Sequence, residues 1–192
     1  MPTHVALLRG INVGGVKVPM AELRAAAAEC GHDEVATYIQ SGNLVFTPGP
    51  GGTAAPAALA TALRSALDAR LGIDVPFVVR DRDAFAAELD ANPFGEPQDG
   101  RLLHAMLRDG PVTDAELETI ERARERARAA GSRDELALVG TTLYVSTPDG
   151  YGRSVLAQAL TLGGRDGSPA RNATARNWRT MTQLLAMLDG TA

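Results

Sequence analysis

The sequence predicts an α+β fold made of two packed copies of one ferredoxin-like unit. Short apolar runs of strand length alternate with longer segments in which apolar residues recur at helical spacing. Two pairs of strand-like runs are separated only by a short turn that contains glycine, which is typical of β-hairpins. The order strand, helix, hairpin, helix, strand, helix occurs twice in the 192 residues. Because each half makes two strand–helix–strand passes around a hairpin, we expect duplicated ferredoxin-like (βαββαβ-type) units packed together.

In the first half, most predicted elements are bounded by residues that start or stop regular structure. Pro19 opens the first helix and Gly31 ends it. Ser41 and Gly42 form the turn of the first hairpin, and Gly72 ends a second helix with leucine at every fourth position. The predicted strands are residues 5–11, 35–40, 43–46 and 75–79, and a short third helix ends at Asn92-Pro93.

The second half repeats this pattern. Thr113 and Glu116 form a capping box before a long helix, which Gly131 ends. Gly140 and Thr141 form the turn of the second hairpin. The remaining predicted elements are strands at residues 102–108, 136–139, 142–146 and 173–176, a shorter helix at 153–162 and a final helix that begins at Trp178.

Similar residues at similar spacing support a duplication. Residues 4–10 resemble residues 104–110, and the Thr-Pro pair at 47–48 matches the Thr-Pro pair at 147–148. Chance similarity between common apolar residues is the alternative. The segment 92–100, which is rich in proline and glycine, is the expected boundary. The predicted ranges are 1–92 for the first unit and 101–192 for the second unit with its C-terminal helix.

Composition and charge narrow the classes of function. The formal net charge is −4 and the pI is about 5.4, which argues against a general nucleic-acid or membrane-surface binder but allows a local basic patch. Cys30 is the only cysteine, so we expect no intramolecular disulfide, a buried thiol and a reducing, cytoplasmic location. The sequence shows no signal-peptide pattern and no membrane-spanning run. With three histidines and one cysteine it offers no metal cluster, and no cofactor is expected.

Polar side chains beside glycines form four clusters that suit an anionic ligand. Arginine forms paired hydrogen bonds with phosphate or carboxylate groups, and glycine lets backbone amides approach them. Between residues 150 and 180 the chain has five arginines and a single aspartate, so this region is basic although the whole chain is acidic. The candidate ligand-binding residues are Arg9, Asn12, Gly14, Gly15, Lys17, Gln40, Ser41, Asn43, Arg153, Ser154, Arg176 and Asn177.

Each cluster also has a structural interpretation. The glycine-rich loop after Arg9 can form an anion-binding nest before the first helix, or Arg9 can pair with an acidic neighbour. The polar residues of the hairpin turn can simply satisfy the strand ends, and Ser154 can be a nucleophile or a helix cap. Arg176 followed by the capping residue Asn177 resembles an anion site. The alternative is that Arg153 and Arg176 make ion pairs between the two units.

Several motifs carry a resemblance to a known family. They are segments 6–15 and 37–46, and near the other end Gly152-Arg153-Ser154 and Arg176-Asn177-Trp178. In these motifs, which span nearly the whole chain, the sequence resembles the bacterial domain of unknown function 1697 family. Val155 stands where a lysine is usual in the family, and Ala175 where a small hydroxyl residue is common. The resemblance implies an α+β fold of two ferredoxin-like units, and it implies no established activity.

We therefore expect a cytoplasmic protein that binds a phosphorylated small molecule, or another anionic ligand, in a cleft between two α+β units. Arg9, Asn12, Arg153 and Arg176 are the residues expected to hold the ligand. One alternative is RNA or single-strand nucleic-acid binding, in which bases stack on exposed aromatic side chains of a sheet. Others are an enzyme of unknown reaction that uses the same cleft, and a protein-interaction module. The stacking candidates are Tyr38, Phe46 and Tyr144.

Overall fold

The computed structural model describes residues 1–11, 16–50, 55–161 and 169–192. Within these residues the fold is α+β, as predicted, and the strands form two four-stranded antiparallel sheets. None of the described helices has the length and apolar character needed to cross a membrane. Three candidate site residues lie outside the described residues, namely Asn12, Gly14 and Gly15.

The first sheet has the N-terminal strand in an inner position. Its elements are β1 (His4–Leu8), β2 (Asp33–Tyr38), β3 (Asn43–Thr47) and β4 (Phe77–Asp81), with helices α1 (Met20–Glu29), α2 (Pro56–Leu71) and α3 (Arg82–Asp90). The strand order is β2-β3-β1-β4, and all neighbours are antiparallel. Leu23 of α1 and Leu63 and Leu67 of α2 are fully buried with Leu44 and Phe46 of β3 in one apolar core, so both helices cover the same face of the sheet.

The second sheet has the same strand order. Its elements are β5 (Leu103–Arg108), β6 (Glu135–Val139), β7 (Thr142–Ser146) and β8 (Ala173–Asn177), with helices α4 (Asp114–Ala129), α5 (Val155–Thr161), α6 (Pro169–Asn172) and α7 (Trp178–Leu188). The strands lie in the order β6-β7-β5-β8, again antiparallel. Met106, Leu143 and Val145 pack with Ile120 of α4 and Leu160 of α5 in a separate core.

The chain divides into two compact units. Unit 1 contains Met1–Leu89 and Thr182–Ala192, and unit 2 contains Asp90–Met181. The division falls inside α7, since Trp178 belongs to unit 2 and Leu188 to unit 1. The assignment of residues 1–92 and 101–192 to two ferredoxin-like units stays a prediction.

The two sheets hold His4 and His104 at the same place in their inner strands. Their partners across the sheet are Phe46 and Asp81 for the first histidine, and Val145 and Asn177 for the second. The histidine match seen in the sequence therefore coincides with a match in register. The match between the two Thr-Pro pairs does not coincide with the register. The position of Thr47 in β3 corresponds to that of Ser146 in β7, one residue before Thr147.

Several strands and helices begin or end at residues other than those predicted, and the backbone geometry at these residues differs from that of a regular element. β1 ends at Leu8 rather than at residue 11, and Gly10 shortly after it has a positive φ of 69°. β2 ends at Tyr38 because Ile39 turns the chain with a φ of 48°. The helix predicted at 153–162 is a 3₁₀ turn, Tyr151–Arg153, followed by α5. Cys30 is the C-cap residue of α1 and packs against the first core, but it is only half-buried.

A buried ion pair ties the end of β5 to the start of α4. The predicted capping box is present, because Glu116 Oε2 accepts from the Thr113 backbone N–H at 2.8 Å and Thr113 Oγ1 accepts from the Glu116 N–H at 3.3 Å. Arg108 Nη2 lies 2.9 Å from Glu116 Oε2, and the two side chains are 5% and 1% exposed. Asn172 Nδ2 donates to Glu116 Oε1 at 3.2 Å. Burial opposes ionisation, but hydrogen bonds from Arg108, Thr113 and Asn172 hold the pKa of Glu116 below its usual value.

Replacing the buried carboxylate should destabilise the protein strongly. Glu116→Ala leaves Arg108 buried without its acidic partner, so we expect a loss of about 3–5 kcal/mol in the free energy of unfolding. Glu22→Ala is the matched control, because Glu22 is also the third residue of its helix but pairs with Arg70 at the surface. Glu22→Ala should lower the free energy of unfolding only slightly, because surface ion pairs contribute little. Equal losses in urea denaturation of the two variants would contradict a special role for the buried pair.

Candidate functional site

The structure brings the two N-terminal motifs together at the end of β1. The backbone N–H of Leu8 donates to the carbonyl oxygen of Gly42 at 2.9 Å, and that of Arg9 donates to Pro76 at 3.1 Å. A Cβ atom at Gly42 would lie 2.6 Å from Cδ1 of Ile11. The β2–β3 turn therefore packs directly on the segment that carries Arg9, whose side chain is half-buried.

The β2–β3 turn is held by one buried amide and contains one unfavourable backbone conformation. Asn43 Nδ2 donates to the Tyr38 carbonyl at 3.0 Å and to Ser41 Oγ at 2.9 Å. Asn43 itself is fully buried, so its side chain serves the turn. Ile39 is a β-branched residue at a φ of 48° with 51% of its surface exposed, a conformation that β-branched side chains rarely adopt. Gln40 is exposed beside it.

The N-terminus of α1 differs from that of α4 in how it is capped. Pro19 occupies the N-cap position of α1 and forms no side-chain cap, whereas Thr113 and Glu116 cap α4. Lys17, two residues before Pro19, is exposed. The first acidic residue of the chain is Glu22, so residues 1–21 carry Arg9 and Lys17 without an acid.

The first C-terminal motif contains a helix cap and an exposed arginine. Ser154 Oγ accepts from the Ala157 N–H at 2.8 Å and donates to Asp134 Oδ2 at 2.8 Å. It is 4% exposed, and its hydrogen bonds are those of an N-cap of α5. Arg153 is exposed, and its Nε donates to the Asp149 carbonyl at 2.9 Å.

The second C-terminal motif pairs a buried arginine with a helix cap. Arg176 is 7% exposed, and its Nη1 donates to Thr174 Oγ1 at 2.7 Å and to the Ala175 carbonyl at 2.8 Å. Burial lowers the pKa of Arg176 to about 10. Asn177 Oδ1 accepts from the Thr180 N–H at 2.9 Å and thereby caps α7, as its sequence position indicated.

Arg176 has a counterpart in the first sheet. By register, Arg80 of β4 occupies the position that Arg176 occupies in β8. In both arginines Nη1 donates to the carbonyl of the preceding residue, at 2.9 and 2.8 Å. Arg80 also pairs with Glu88, eight residues later, with 3.0 Å between Nε and Oε1. At the same spacing after Arg176 the sequence has Leu184, which is apolar.

The two C-terminal motifs approach each other around a histidine that is not among the candidate site residues. The ring centroids of His104 and Tyr151 are 3.9 Å apart, and His104 lies opposite Asn177 in the sheet. Burial lowers the pKa of His104 to about 4 and raises the pKa of Tyr151. Nδ1 of His104 makes no hydrogen bond to any described residue. Neither residue is among the candidates predicted from the sequence. Two sequence features could have indicated them: Tyr151 lies inside a glycine-rich motif, and His104 matches His4.

The candidate residues are thus gathered in pairs of motifs, one pair in each unit. Unit 1 groups Arg9 with the Gln40–Asn43 turn, and unit 2 groups the segment before Ser154 with the end of β8. That all of them serve one ligand stays a prediction. Among the described residues, no group of three or more histidine, cysteine or acidic side chains is arranged to hold a metal ion.

Comparison with known proteins identifies relatives in fold and family but no assigned activity. The family model described as "Protein of unknown function (DUF1697)" matches residues 1–144. Among solved structures, the conserved bacterial protein SP0830 from Streptococcus pneumoniae is similar over 98% of this chain and 99% of its own, with a TM-score of 0.68 and 24% identity. At this identity the similarity concerns the fold. No curated protein matches the chain significantly.

The buried histidine should make the protein less stable in acid. The unfolded chain binds a proton at His104 with a pKa near 6.5, and the folded protein only near 4. The contribution of His104 to the free energy of unfolding is therefore fully present above pH 6.5. It is lost as the pH falls towards 4, by up to about 3 kcal/mol. In His104→Gln the loss between these pH values should be smaller than in the original protein, as measured by urea denaturation at several pH values. Parallel pH curves for the two proteins would count against this origin of acid sensitivity.

The close packing of the β2–β3 turn should make Gly42 intolerant of a side chain. Gly42→Ala adds a methyl group 2.6 Å from Ile11 at a φ of 73°, and overpacking adds about 1–3 kcal/mol to the backbone cost. Gly140→Ala is the matched control in the other hairpin, because Gly140 has a φ of 59° with open space around it. Thermal denaturation should show a clearly larger loss for Gly42→Ala. If Gly42→Ala loses no more thermal stability than the control, the turn can rearrange to accommodate the methyl group.

Proposed function

The chain belongs to the domain of unknown function 1697 family, and we propose that it binds a phosphorylated small molecule or another anionic ligand through the N-terminal motifs of unit 1. We also propose that both units are ferredoxin-like and arose by duplication. The order strand, helix, hairpin, helix, strand and the equal strand orders of the two sheets support this. Arg153 and Arg176 of unit 2 stay candidate ligand-binding residues, as predicted from the sequence.

The difference between the two equivalent helix starts carries the proposal. In unit 2 the first turn of α4 is closed by the Thr113 and Glu116 capping box, and Arg108 neutralises the glutamate. In unit 1 the corresponding turn follows Pro19, which offers no side-chain oxygen as a cap, while its carbonyl oxygen accepts from the Glu22 and Leu23 N–H groups at 3.0 and 3.2 Å. Amide groups at such a helix start bind anions well, because the positive end of the helix dipole adds to their hydrogen bonds.

Local charge supports the same assignment. Arg9 and Lys17 precede α1, and no acid lies in residues 1–21. The acid in the first turn of α1, Glu22, is engaged by Arg70, with 2.7 Å between Nη2 and Oε2. A phosphate near this turn would therefore meet cations and amide donors together. An arginine there can form two parallel hydrogen bonds to phosphate oxygens.

The nucleic-acid alternative is less well supported by the geometry. Base stacking needs exposed rings on a sheet, and two of the three candidates, Phe46 and Tyr144, have no exposed surface. Tyr38 is half-buried. Turnover of a tested compound would instead indicate an enzyme that acts at the same residues.

Binding should be detectable as stabilisation of the full chain. Inorganic pyrophosphate, nucleoside diphosphates and sugar phosphates would be compared by thermal shift and calorimetry. A ligand at 100 times its dissociation constant should raise the free energy of unfolding by about 2.7 kcal/mol. Arg9→Ala should remove this stabilisation, and Lys17→Ala should weaken it.

Arg122→Ala supplies the control for these variants. Arg122 is an exposed arginine on α4 that contacts Thr119 and Glu118, so its loss removes the same charge without touching the motif. The proposal fails if no anion stabilises the protein, or if Arg122→Ala reduces the response as much as Arg9→Ala.

A further inference from the structure

Unit 2 contains a cavity that none of the motifs above accounts for. It measures about 370 Å³ and lies beside the C-terminal half of α4, between this helix, the edge strand β6 and the start of α5. Small-molecule sites in proteins commonly have about 300–1,000 Å³. The cavity is therefore large enough for a compact metabolite.

One part of the cavity lining is apolar. Leu156 of α5 is 1% exposed, and Leu136 of β6 and Phe94 are half-buried. Phe94 is held in place by a turn, because its backbone N–H donates to Asn92 Oδ1 at 3.0 Å. These three side chains offer a contact surface for an apolar group of moderate size.

Two arginines of α4, four residues apart, line the cavity and differ in their partners. Arg124 is occupied, since Nη1 donates to Glu121 Oε1 at 2.6 Å and Nη2 to the Leu136 carbonyl at 2.9 Å. Arg128 is exposed, and its guanidinium makes no hydrogen bond or ion pair with the described residues. Arg128 is thus available for an anionic group.

Two acidic residues enter the lining where the connection from α4 ends and β6 begins, namely Asp134 and Glu135. Asp134 is positioned by two contacts, because its Oδ2 accepts from Ser154 Oγ at 2.8 Å and its backbone N–H donates to Ser132 Oγ at 3.2 Å. Glu135 is exposed, and its side chain has no partner among the described residues. Arg128 lines the same cavity as both acids without forming an ion pair to either of them.

We propose that this cavity binds a small zwitterion with an apolar side chain, namely an aromatic or branched amino acid. Its carboxylate would bind Arg128, its ammonium group the acids at 134 and 135, and its side chain the surface formed by Phe94, Leu136 and Leu156. Opposite charges that line one cavity without pairing with each other favour a ligand that carries both charges, because each charge of such a ligand meets its complement. This site is independent of the anion site in unit 1.

Calorimetric titration of the full chain tests the proposal with three probes. L-phenylalanine should bind, whereas 3-phenylpropionate lacks the ammonium group and 2-phenylethylamine lacks the carboxylate, so each should bind about tenfold more weakly or worse. Arg128→Gln should weaken phenylalanine binding by a similar factor. Arg126→Gln is the matched control, because Arg126 is exposed on the same helix and does not line the cavity.

The possible results divide clearly. Phenylalanine binding that depends on Arg128 but not on Arg126 supports the assignment, provided that both variants keep the original melting temperature. Phenylpropionate binding as tightly as phenylalanine would overturn the zwitterion assignment. Absence of phenylalanine and leucine binding at millimolar concentration, or equal binding by the two variants, would overturn the site. Pyrophosphate binding through Arg9 is unaffected by any of these outcomes.

Discussion

Pairing of β1 with strands on both of its sides is the constraint on which the candidate anion site depends. The last residues of this strand are held by hydrogen bonds from Leu8 to Gly42 and from Arg9 to Pro76, of 2.9 and 3.1 Å. The backbone that carries Arg9 is therefore fixed from two directions before it leaves the sheet. Because the strands are antiparallel, the β2–β3 turn and the path to α1 lie at this same end. A site built there has a rigid base.

The two units use this end of the sheet differently. In unit 2 Arg108, Glu116, Thr113 and Asn172 form one hydrogen-bonded network in which both charged side chains are buried. Burial of the two charges costs desolvation, which their ion pair and hydrogen bonds offset. In unit 1 the corresponding glutamate, Glu22, turns outward to Arg70. The third residue of the helix is therefore a buried glutamate in unit 2 and a glutamate paired at the surface in unit 1.

Sequence reasoning identified the polar motifs but not which of their members the fold itself uses. Asn43, Ser154 and Asn177 hold a turn, α5 and α7 respectively. Small polar side chains next to glycine satisfy nearby backbone amides as readily as they bind ligands, so spacing alone does not separate the two uses. For Arg176, too, the sequence does not separate a structural role from a ligand-binding role. Its burial and its likeness to Arg80 depend on strand register, which no local pattern encodes.

The sequence by itself determined the α+β class, the order of strands and helices, both hairpins and the capping box of α4, because periodicity, turn residues and helix caps act over a few neighbouring positions. Only the tertiary structure decided that Arg108 is matched by Glu116, that Tyr151 stacks near His104, and that Phe94 meets α4 and β6 around one cavity. These contacts join elements through sheet register and packing, and their partners are chosen by three-dimensional fit rather than by spacing along the chain.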